Sequence, residues 1–261
     1  MKISFIGSGN VATHLATALN KISGVSILQI ISKDKSHAKN LAMLVKADFS
    51  DELSRLKNNF DLLIFSVSDD SLYEILENIE IPDNRILCHT AGSVPSTIFE
   101  NITRKYGVIY PLQTFSKNKT VDWKDVPILL TASDEATEKR LSHLTKQLSR
   151  NNQVITDEQR FAIHVAAVFA CNFANAAMTI SQQLCDENNL DFSLLHPLIK
   201  ETFDKAMRNG PKHSQTGPAK RGDEGVMKKH LEFLRDKPRE QQIYELVSAY
   251  ISDRYSNDRG D

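Results

Sequence analysis

The sequence contains little cysteine and no excess of charge of either sign. Its three cysteines, Cys88, Cys171 and Cys185, are odd in number and lack CxxC spacing, so we expect neither a disulfide framework nor a metal site. A reducing compartment, the cytoplasm, is expected, and the first residues form an apolar strand without a basic and apolar leader. With 32 basic and 33 acidic residues and no basic run, the composition predicts no nucleic-acid partner.

Residues 161–185 contain no charged side chain and are numerous enough to cross a bilayer. His164, Asn172, Asn175 and two glutamines interrupt this segment, alanine is abundant, and neither an aromatic belt nor a positive flank is present. These features argue against a membrane span. We therefore expect a helix that is buried in a large core or in an oligomer interface.

Apolar runs alternate with helical patterns in the first half of the chain, which predicts an α/β fold with a mostly parallel, doubly wound sheet. Strands are expected near residues 2–6, 25–31, 61–67, 85–89, 107–110 and 126–131, and helices near residues 10–22, 35–44, 70–78 and 135–149. After a short strand at 153–156, helices follow one another near residues 158–186, 193–208, 224–236 and 238–255. We expect an α/β domain over 1–157 and an all-helical domain over 158–261.

A glycine-rich turn follows the first predicted strand, in the sequence Gly7-Ser8-Gly9-Asn10-Val11-Ala12. Gly7 permits a tight turn, Gly9 lets the backbone approach a pyrophosphate, and Ala12 keeps the next helix close to the sheet. Phosphates would lie at the helix N-terminus, where free N–H groups and the helix dipole favour an anion. Because a second apolar strand completes a βαβ unit, the motif predicts a dinucleotide site that includes Gly7, Ser8, Gly9, Asn10 and Val11. An empty or degenerate fold is the alternative.

The end of the second predicted strand indicates which dinucleotide is bound. An NAD-specific domain usually carries Asp or Glu there to hold the ribose 2′-hydroxyl, but this chain has Ser32 and Lys33. Ser32 can donate a hydrogen bond, and Lys33 can neutralise a 2′-phosphate. We therefore predict NADP(H) as the cofactor. The alternative is that these residues form a solvated turn.

Two later loops should lie at the same edge of the sheet, beyond the carboxyl ends of the strands. Val67, Ser68 and Asp69 should face the dinucleotide, although Asp69 or Asp70 could instead cap the next helix. The further residues expected to contact the cofactor are Thr90, Ala91 and Gly92, and those expected to contact the substrate are Ser93 and Gln113. His89 could exchange a proton near neutral pH or make an orienting hydrogen bond at its strand end.

Polar residues form one stripe on the long uncharged helix. At about 100° per residue, His164 and Asn175 project in nearly the same direction, and Asn172 lies about 80° away. Burying these groups without partners would cost about 1 to 3 kcal/mol each, so they should face a partner, a ligand or a water-filled cleft. They are candidate catalytic residues, and a satisfied buried network is the alternative.

The segment Thr216-Gly217-Pro218-Ala219-Lys220-Arg221-Gly222-Asp223 forms a predicted loop between helices. Arg221 presents a charged fork that matches a carboxylate or a phosphate, so we expect it to bind an anionic substrate together with Thr216. The alternative is that Arg221 pairs with Asp223 while Asp223 caps the following helix.

These motifs resemble a family of Rossmann-like NADP oxidoreductases with a largely uncharacterised helical C-terminal domain. The resemblance spans nearly the whole chain and includes, besides the motifs at 7–12 and 216–223, the sequences Ser66-Val67-Ser68-Asp69-Asp70, His89-Thr90-Ala91-Gly92-Ser93, Tyr110-Pro111-Leu112-Gln113-Thr114-Phe115 and Asn172-Phe173. More distantly, the chain is similar to pyrroline-5-carboxylate reductases, deazaflavin-dependent NADP oxidoreductases and β-hydroxyacid dehydrogenases. The C-terminal domain is expected to resemble that of 6-phosphogluconate dehydrogenase.

The resemblance implies an enzyme that transfers a hydride between the nicotinamide and a small C=O or C=N substrate, and a homodimer formed through the helical domain. The β-hydroxyacid dehydrogenases place a catalytic lysine one turn before the asparagine of this helix, but here Val168 precedes Asn172. A lysine-based mechanism therefore cannot be transferred. His164 and His89 are the nearest substitutes, and a sensor that binds NADP(H) without turnover is the alternative function.

Overall fold

A computed structural model of the chain describes residues 1–82, 84–116 and 119–255. The chain forms two compact units, Met1–Phe169 and Ala170–Asp261. The sequence placed the boundary after residue 157, where the long helix begins. The units instead divide within that helix, because its first turns carry side chains such as Arg160 that are buried in the first unit.

The first unit is built on one eight-stranded sheet. The strands are β1 (Lys2–Ile6), β2 (Ser26–Ile31), β3 (Asp48–Ser50), β4 (Leu62–Phe65), β5 (Ile86–His89), β6 (Tyr106–Pro111), β7 (Ile128–Ala132) and β8 (Asn152–Val154). Their order is β3-β2-β1-β4-β5-β6-β7-β8, and every neighbouring pair is parallel except β6 and β7. This arrangement confirms the predicted doubly wound, mostly parallel sheet. The chain reverses its direction of travel across the sheet between β1 and β4.

The central strand β4 shows why the sheet needs helices on both faces. All four of its residues are buried, and successive side chains of a strand point to opposite faces. Leu62 and Ile64 belong to one hydrophobic cluster, whereas Leu63 and Phe65 belong to another. A continuous apolar strand of this kind is typical of a parallel sheet with two covered faces.

Four helices of the first unit follow strands, and a fifth begins the long helix. They are α1 (Asn10–Leu19), α2 (Lys35–Val45), α3 (Asp69–Leu76), α4 (Glu135–Thr145) and α5 (Asp157–Ala167). Asp134 is the N-cap of α4, because its side chain accepts a hydrogen bond from the Thr137 N–H. The short strand β3 was not predicted, since three residues with two exposed side chains carry no apolar pattern.

The elements of the second unit, as far as residue 255, are all helical. They are α6 (Ala174–Glu187), α7 (His196–Asn209), α8 (Pro211–Ser214), α9 (Pro218–Arg221), α10 (Glu224–Phe233) and α11 (Pro238–Tyr255). A π-helical segment, Val168–Phe173, joins α5 to α6, so Asp157–Glu187 is one continuous helix. Judged by length and composition alone, this helix could cross a membrane. No residue of its most apolar stretch is buried within the chain, so this segment is not the core helix that the sequence allowed as one expectation.

Candidate functional site

A cavity of about 830 Å³ opens in the first unit beside the ends of β1, β2 and β4. This edge of the sheet includes the point where strand order reverses, which is where open α/β sheets bind ligands. The predicted site residues that line the cavity are Gly7, Ser8, Gly9, Asn10, Val11, Ser32, Lys33, Val67, Ser68, Asp69, Thr90, Ala91 and Gln113. His37 and Glu74 also line it, although no motif indicated them. Gly92 and Ser93 are not among the lining residues.

Gly7 has a backbone conformation and a position that only glycine tolerates. Its φ is +109°, and a Cβ atom built there would lie 2.1 Å from the carbonyl oxygen of Ser66. The Gly7 N–H donates to the Ile31 carbonyl at 2.7 Å, and the Ser66 N–H donates to the Ile6 carbonyl at 2.8 Å. The turn after β1 therefore lies directly against the chain that leaves β4.

Gly9, unlike Gly7, is surrounded by open space. A Cβ atom at Gly9 would meet nothing within 4 Å, and its φ of −70° is ordinary. Gly9 is the N-cap of α1, and no side chain caps that helix. Open space in front of an uncapped helix N-terminus suits a phosphate group, because N–H groups and the dipole are directed at it. These residues fit a bound pyrophosphate.

The end of β2 brings two predicted residues to the cavity wall. The Ser8 hydroxyl donates to the Ser32 hydroxyl at 2.8 Å. Lys33 Nζ lies 2.7 Å from a Glu74 carboxylate oxygen, and both side chains are largely exposed. The ammonium group can therefore exchange this carboxylate for an added phosphate at little cost, because exposed ion pairs are weak.

The loops after β4 and β5 are linked through Asp69. Its carboxylate accepts a hydrogen bond from the Ser93 hydroxyl, and the N-cap position of α3 is taken by Ser68, with no side-chain cap. Asp69 and Asp70 lie in the first turn of α3 instead, where a negative charge complements the helix dipole. The capping role that the sequence allowed for them is therefore absent among the hydrogen bonds of the described residues.

His89 is fully buried at the end of β5. Its Nδ1 accepts a hydrogen bond from the Ala91 N–H at 3.1 Å, and its ring centroid lies 5.8 Å from that of Phe99. Burial, with a smaller effect from the nearby Arg160 charge, lowers the pKa of His89 to about 4. The imidazole is neutral at neutral pH and orients the following loop, which is the alternative left open above. A catalytic role for it stays a prediction.

His164 on α5 has a partner that the sequence did not indicate. Its Nδ1 lies 2.9 Å from the hydroxyl oxygen of Tyr110, at the end of β6, and the two rings meet edge to face. A Cβ atom at Gly92 would lie 2.5 Å from the same Nδ1. The imidazole is therefore held between the end of β6 and the loop after β5, at Gly92, which follows the cavity-lining Ala91 in the chain.

A buried arginine holds the start of α5 against this loop. Arg160 is 1% exposed and donates to Asp157, to the Thr131 hydroxyl and to the Val94 carbonyl. Asp157 also accepts hydrogen bonds from the N–H and hydroxyl of Ser96. Burial raises the pKa of Asp157, but the hydrogen bonds from Arg160 and Ser96 outweigh that effect, so the net pKa is lowered. The Asp157 carboxylate is therefore charged at neutral pH, and both of its oxygens accept hydrogen bonds.

Asn172 and Asn175 lie in the second unit, and both are exposed. The predicted alignment of His164 with Asn175 assumed a regular α-helix throughout. The π-helical segment Val168–Phe173 lies between them, so a uniform 100° per residue does not apply. That directional argument was wrong, and the catalytic roles of the two asparagines stay predictions.

Thr216 and Arg221 are exposed residues of the second unit, at the two ends of the segment that includes α9. Thr216 lines a mostly apolar cavity of about 380 Å³ together with residues of α6, α10 and α11. Asp223 caps α10 by accepting a hydrogen bond from the Val226 N–H, as the alternative interpretation expected. The described residues show no ion pair between Arg221 and Asp223, so the predicted anion-binding role of Arg221 stays open.

Comparisons with known proteins place the chain beside one protein family and several solved structures. A family described as a domain of unknown function, DUF2520, matches residues 126–251. A Bacteroides fragilis protein, provisionally described as an NADP oxidoreductase, has a crystal structure that is 38% identical, covers 97% of this chain and 98% of its own, and superposes with a TM-score of 0.90. No curated protein matches the sequence.

More distant structures share the fold alone. An imine reductase from Myxococcus stipitatus in complex with NADP⁺ is 14% identical, with a TM-score of 0.66 over 100% of this chain and 96% of its own. A reductive aminase from Aspergillus terreus in complex with NADPH and ethyl-5-oxohexanoate is 16% identical, with a TM-score of 0.69 over 99% of this chain and 95% of its own.

The two glycines of the first turn should respond differently to alanine. Gly7→Ala is expected to lower the free energy of unfolding by about 2 kcal/mol or more, because its Cβ meets backbone. Gly9→Ala should change stability by less than about 0.5 kcal/mol. Gly9→Ala should nevertheless weaken dinucleotide binding at least about tenfold, which corresponds to a loss of about 1.4 kcal/mol in binding free energy. Urea denaturation and calorimetric titration measure the two effects. Unchanged binding by Gly9→Ala would remove the phosphate assignment.

Proposed function

The chain belongs to the family of Rossmann-like NADP oxidoreductases, and from that membership we propose a specific activity: NADP(H)-dependent hydride transfer to or from a small C=O or C=N compound, in the cytoplasm. The observation that carries this proposal is the open space in front of Gly9 at an uncapped helix N-terminus. A dinucleotide bound there would extend along a cavity whose size suits a ligand of that class.

Residues of the first unit would hold each part of the cofactor. The N-terminus of α1 would bind the pyrophosphate, and Ser32 and Lys33 would bind the 2′-phosphate of the adenosine ribose. Thr90 and Ala91 would border the other end of the dinucleotide, because they line the cavity beyond β5. When bound, the cofactor supplies the hydride, and the protein supplies orientation and a path for the proton.

We propose His164 as the residue that exchanges the proton. It is half-buried and held against Gly92, the residue after the cavity-lining Ala91, whereas His89 is fully buried and its low pKa leaves little charged form at neutral pH. The uncharged segment 161–185 contains no lysine that could take this role. For an anionic substrate, Arg221 and Thr216 remain the proposed anchor, because the guanidinium is exposed and always charged.

A sensor that binds NADP(H) without turnover is the second candidate function, and the observation that favours it is the absence of a lysine from segment 161–185.

To separate the enzyme from the sensor, NADPH oxidation is followed with a panel of small keto acids, aldehydes and cyclic imines. We expect turnover with at least one compound, and His164→Ala should lower kcat by about a hundredfold while NADPH affinity is retained. Arg221→Ala should mainly raise the KM of anionic substrates. Tight NADPH binding with no turnover would favour the sensor.

The cofactor preference has its own test. The protein should bind NADPH more tightly than NADH, and Lys33→Ala should weaken NADPH binding about tenfold while leaving NADH unchanged, because only NADPH carries the 2′-phosphate. Lys39→Ala is the matched control, since Lys39 is an exposed lysine of α2 that does not line the cavity. Equal affinity for the two nucleotides would exclude the predicted preference.

We also propose that the protein is a homodimer formed through the helical unit. In the described part of that unit, the only buried hydrophobic residues are Ala219, Leu234 and Tyr255. Large apolar side chains are exposed instead, including Met207 at 83% and Leu246 at 72%. A helical unit without its own core requires a covering surface, and a second copy offers a chemically identical apolar face.

Light scattering after gel filtration tests the dimer. The expected mass is twice the 29.4 kDa of one chain. Leu246→Glu should produce monomer or aggregate, because it introduces a charge into the proposed interface. Leu44→Glu is the control, since Leu44 is 64% exposed on α2 of the first unit. A monomeric wild-type protein at micromolar concentration would contradict the proposal.

A further inference from the structure

A short segment, residues 112–116, follows β6 and forms part of the candidate cofactor cavity. The Leu112 N–H donates to the Pro127 carbonyl at 2.8 Å, which fixes the start of the segment beside β7. Gln113 and Phe115 line the cavity. The segment is therefore a wall of the cavity, and the contacts at its other end determine where that wall stands.

Two side chains of α1 hold that other end. Asn10 Nδ2 donates to the Phe115 carbonyl at 3.0 Å, and His14 Nε2 donates to the Ser116 carbonyl at 3.0 Å. Both directions are certain, because a carbonyl oxygen can only accept, so the His14 ring carries a hydrogen on Nε2. The His14 and Phe115 rings also pack together, with centroids 5.2 Å apart. Asn10 and His14 lie about one helical turn apart on the same face of α1.

The two anchoring residues belong to different cavities. Asn10 lines the cofactor cavity, whereas His14 does not line it and instead lines a second cavity of about 750 Å³. Trp123, the single tryptophan of the chain, also lines the second cavity, and its ring centroid lies 5.6 Å from that of Phe115. Phe115 thus has the cofactor cavity on one side and the His14 and Trp123 rings as neighbours.

This arrangement places an apolar ring beside the proposed phosphate site. Asn10 is the first residue of α1, and the uncapped N-terminus of that helix opens onto free space at Gly9. The attraction between a helix N-terminus and an anion is stronger where water is excluded. A wall that is already in place also costs little ordering when the ligand binds. The position of Phe115 should therefore affect how tightly a diphosphate is held.

We propose that Asn10 and His14 are positioning residues: they hold the segment 112–116 against α1 so that Phe115 forms the wall of the diphosphate site, and His14 thereby raises nucleotide affinity without lining the cofactor cavity. The proposal rests on the proposed function. NADPH and NADH have the same diphosphate, so the effect on the two nucleotides should be equal. Lys33, in contrast, is proposed to act on the 2′-phosphate of NADPH alone.

Calorimetric titration of the full-length protein with NADPH and with NADH tests the affinity. His14→Phe keeps an aromatic ring against Phe115 but removes the hydrogen bond to Ser116. It should weaken binding of both nucleotides about fivefold, within the range expected for one lost hydrogen bond. His14→Gln retains an N–H donor and should recover part of that loss. Thr17→Ala is the matched control, because Thr17 lines the same second cavity and forms no hydrogen bond to residues 112–116.

Trp123 fluorescence in the nucleotide-free protein tests the anchoring itself. Asn10 does not line the cavity of Trp123, so a change of emission in Asn10→Ala must pass through the segment. We expect emission at longer wavelength and stronger quenching by acrylamide, because the Phe115 ring would no longer be held against the tryptophan. Lys33→Ala, which alters another residue of the cofactor cavity, should leave both signals unchanged.

Unfolding in urea first establishes that each variant is folded. Unchanged affinities in His14→Phe, a loss confined to NADPH, or an unaltered Trp123 signal in Asn10→Ala would each overturn the proposal. If wild type binds neither nucleotide, the proposed function fails together with the role of His14 in affinity. The Trp123 signal then still decides whether α1 holds the segment.

Discussion

The close approach of Gly7 to the Ser66 carbonyl is the constraint on which the site depends. Because a side chain at residue 7 would overlap that carbonyl, glycine lets the turn after β1 lie directly on the chain leaving β4. This contact brings together the two strands between which the sheet reverses its order. It also places α1 so that its uncapped N-terminus opens onto free space at Gly9. The cavity is therefore a consequence of backbone packing, and its walls are largely determined before any ligand binds.

A second constraint fixes the position of the proposed proton-exchanging group. The Arg160 guanidinium connects α5 to β7 through Thr131 and to the loop after β5 through Val94. A buried charge is tolerated because the Asp157 carboxylate and these neutral acceptors replace water at the two terminal nitrogens, while the buried Nε has no hydrogen-bond partner among the described residues. His164 follows Arg160 by one helical turn on the same face, so fixing the arginine also fixes the imidazole beside Gly92.

Local patterns predicted most of this fold, and long-range contacts account for what they missed. The alternation of apolar runs and helical patterns is local, so it indicated the sheet, its helices and the glycine-rich turn. The pairing of Tyr110 with His164 depends on the register of β6 against α5, which no spacing within either segment reveals. Nothing in the sequence distinguishes Arg160 from an ordinary charged residue in the first turn of a helix. In the structure, however, it is among the most buried side chains. The π-helical segment has no sequence signal that separates it from the apolar α-helix on either side.

The two units are stabilised by different means, and this difference bears on how the protein could work. The first unit has two extensive hydrophobic clusters, one on each face of its sheet, so its cavity is supported within a single chain. The described part of the second unit has almost no buried apolar side chain, and no residue in the most apolar stretch of the helix Asp157–Glu187 is buried. Burial of apolar surface is the main favourable contribution to folding, and the described helices of the second unit bury little of it among themselves. The candidate nucleotide site is thus built within one chain, whereas the helical unit leaves most of its large apolar side chains exposed.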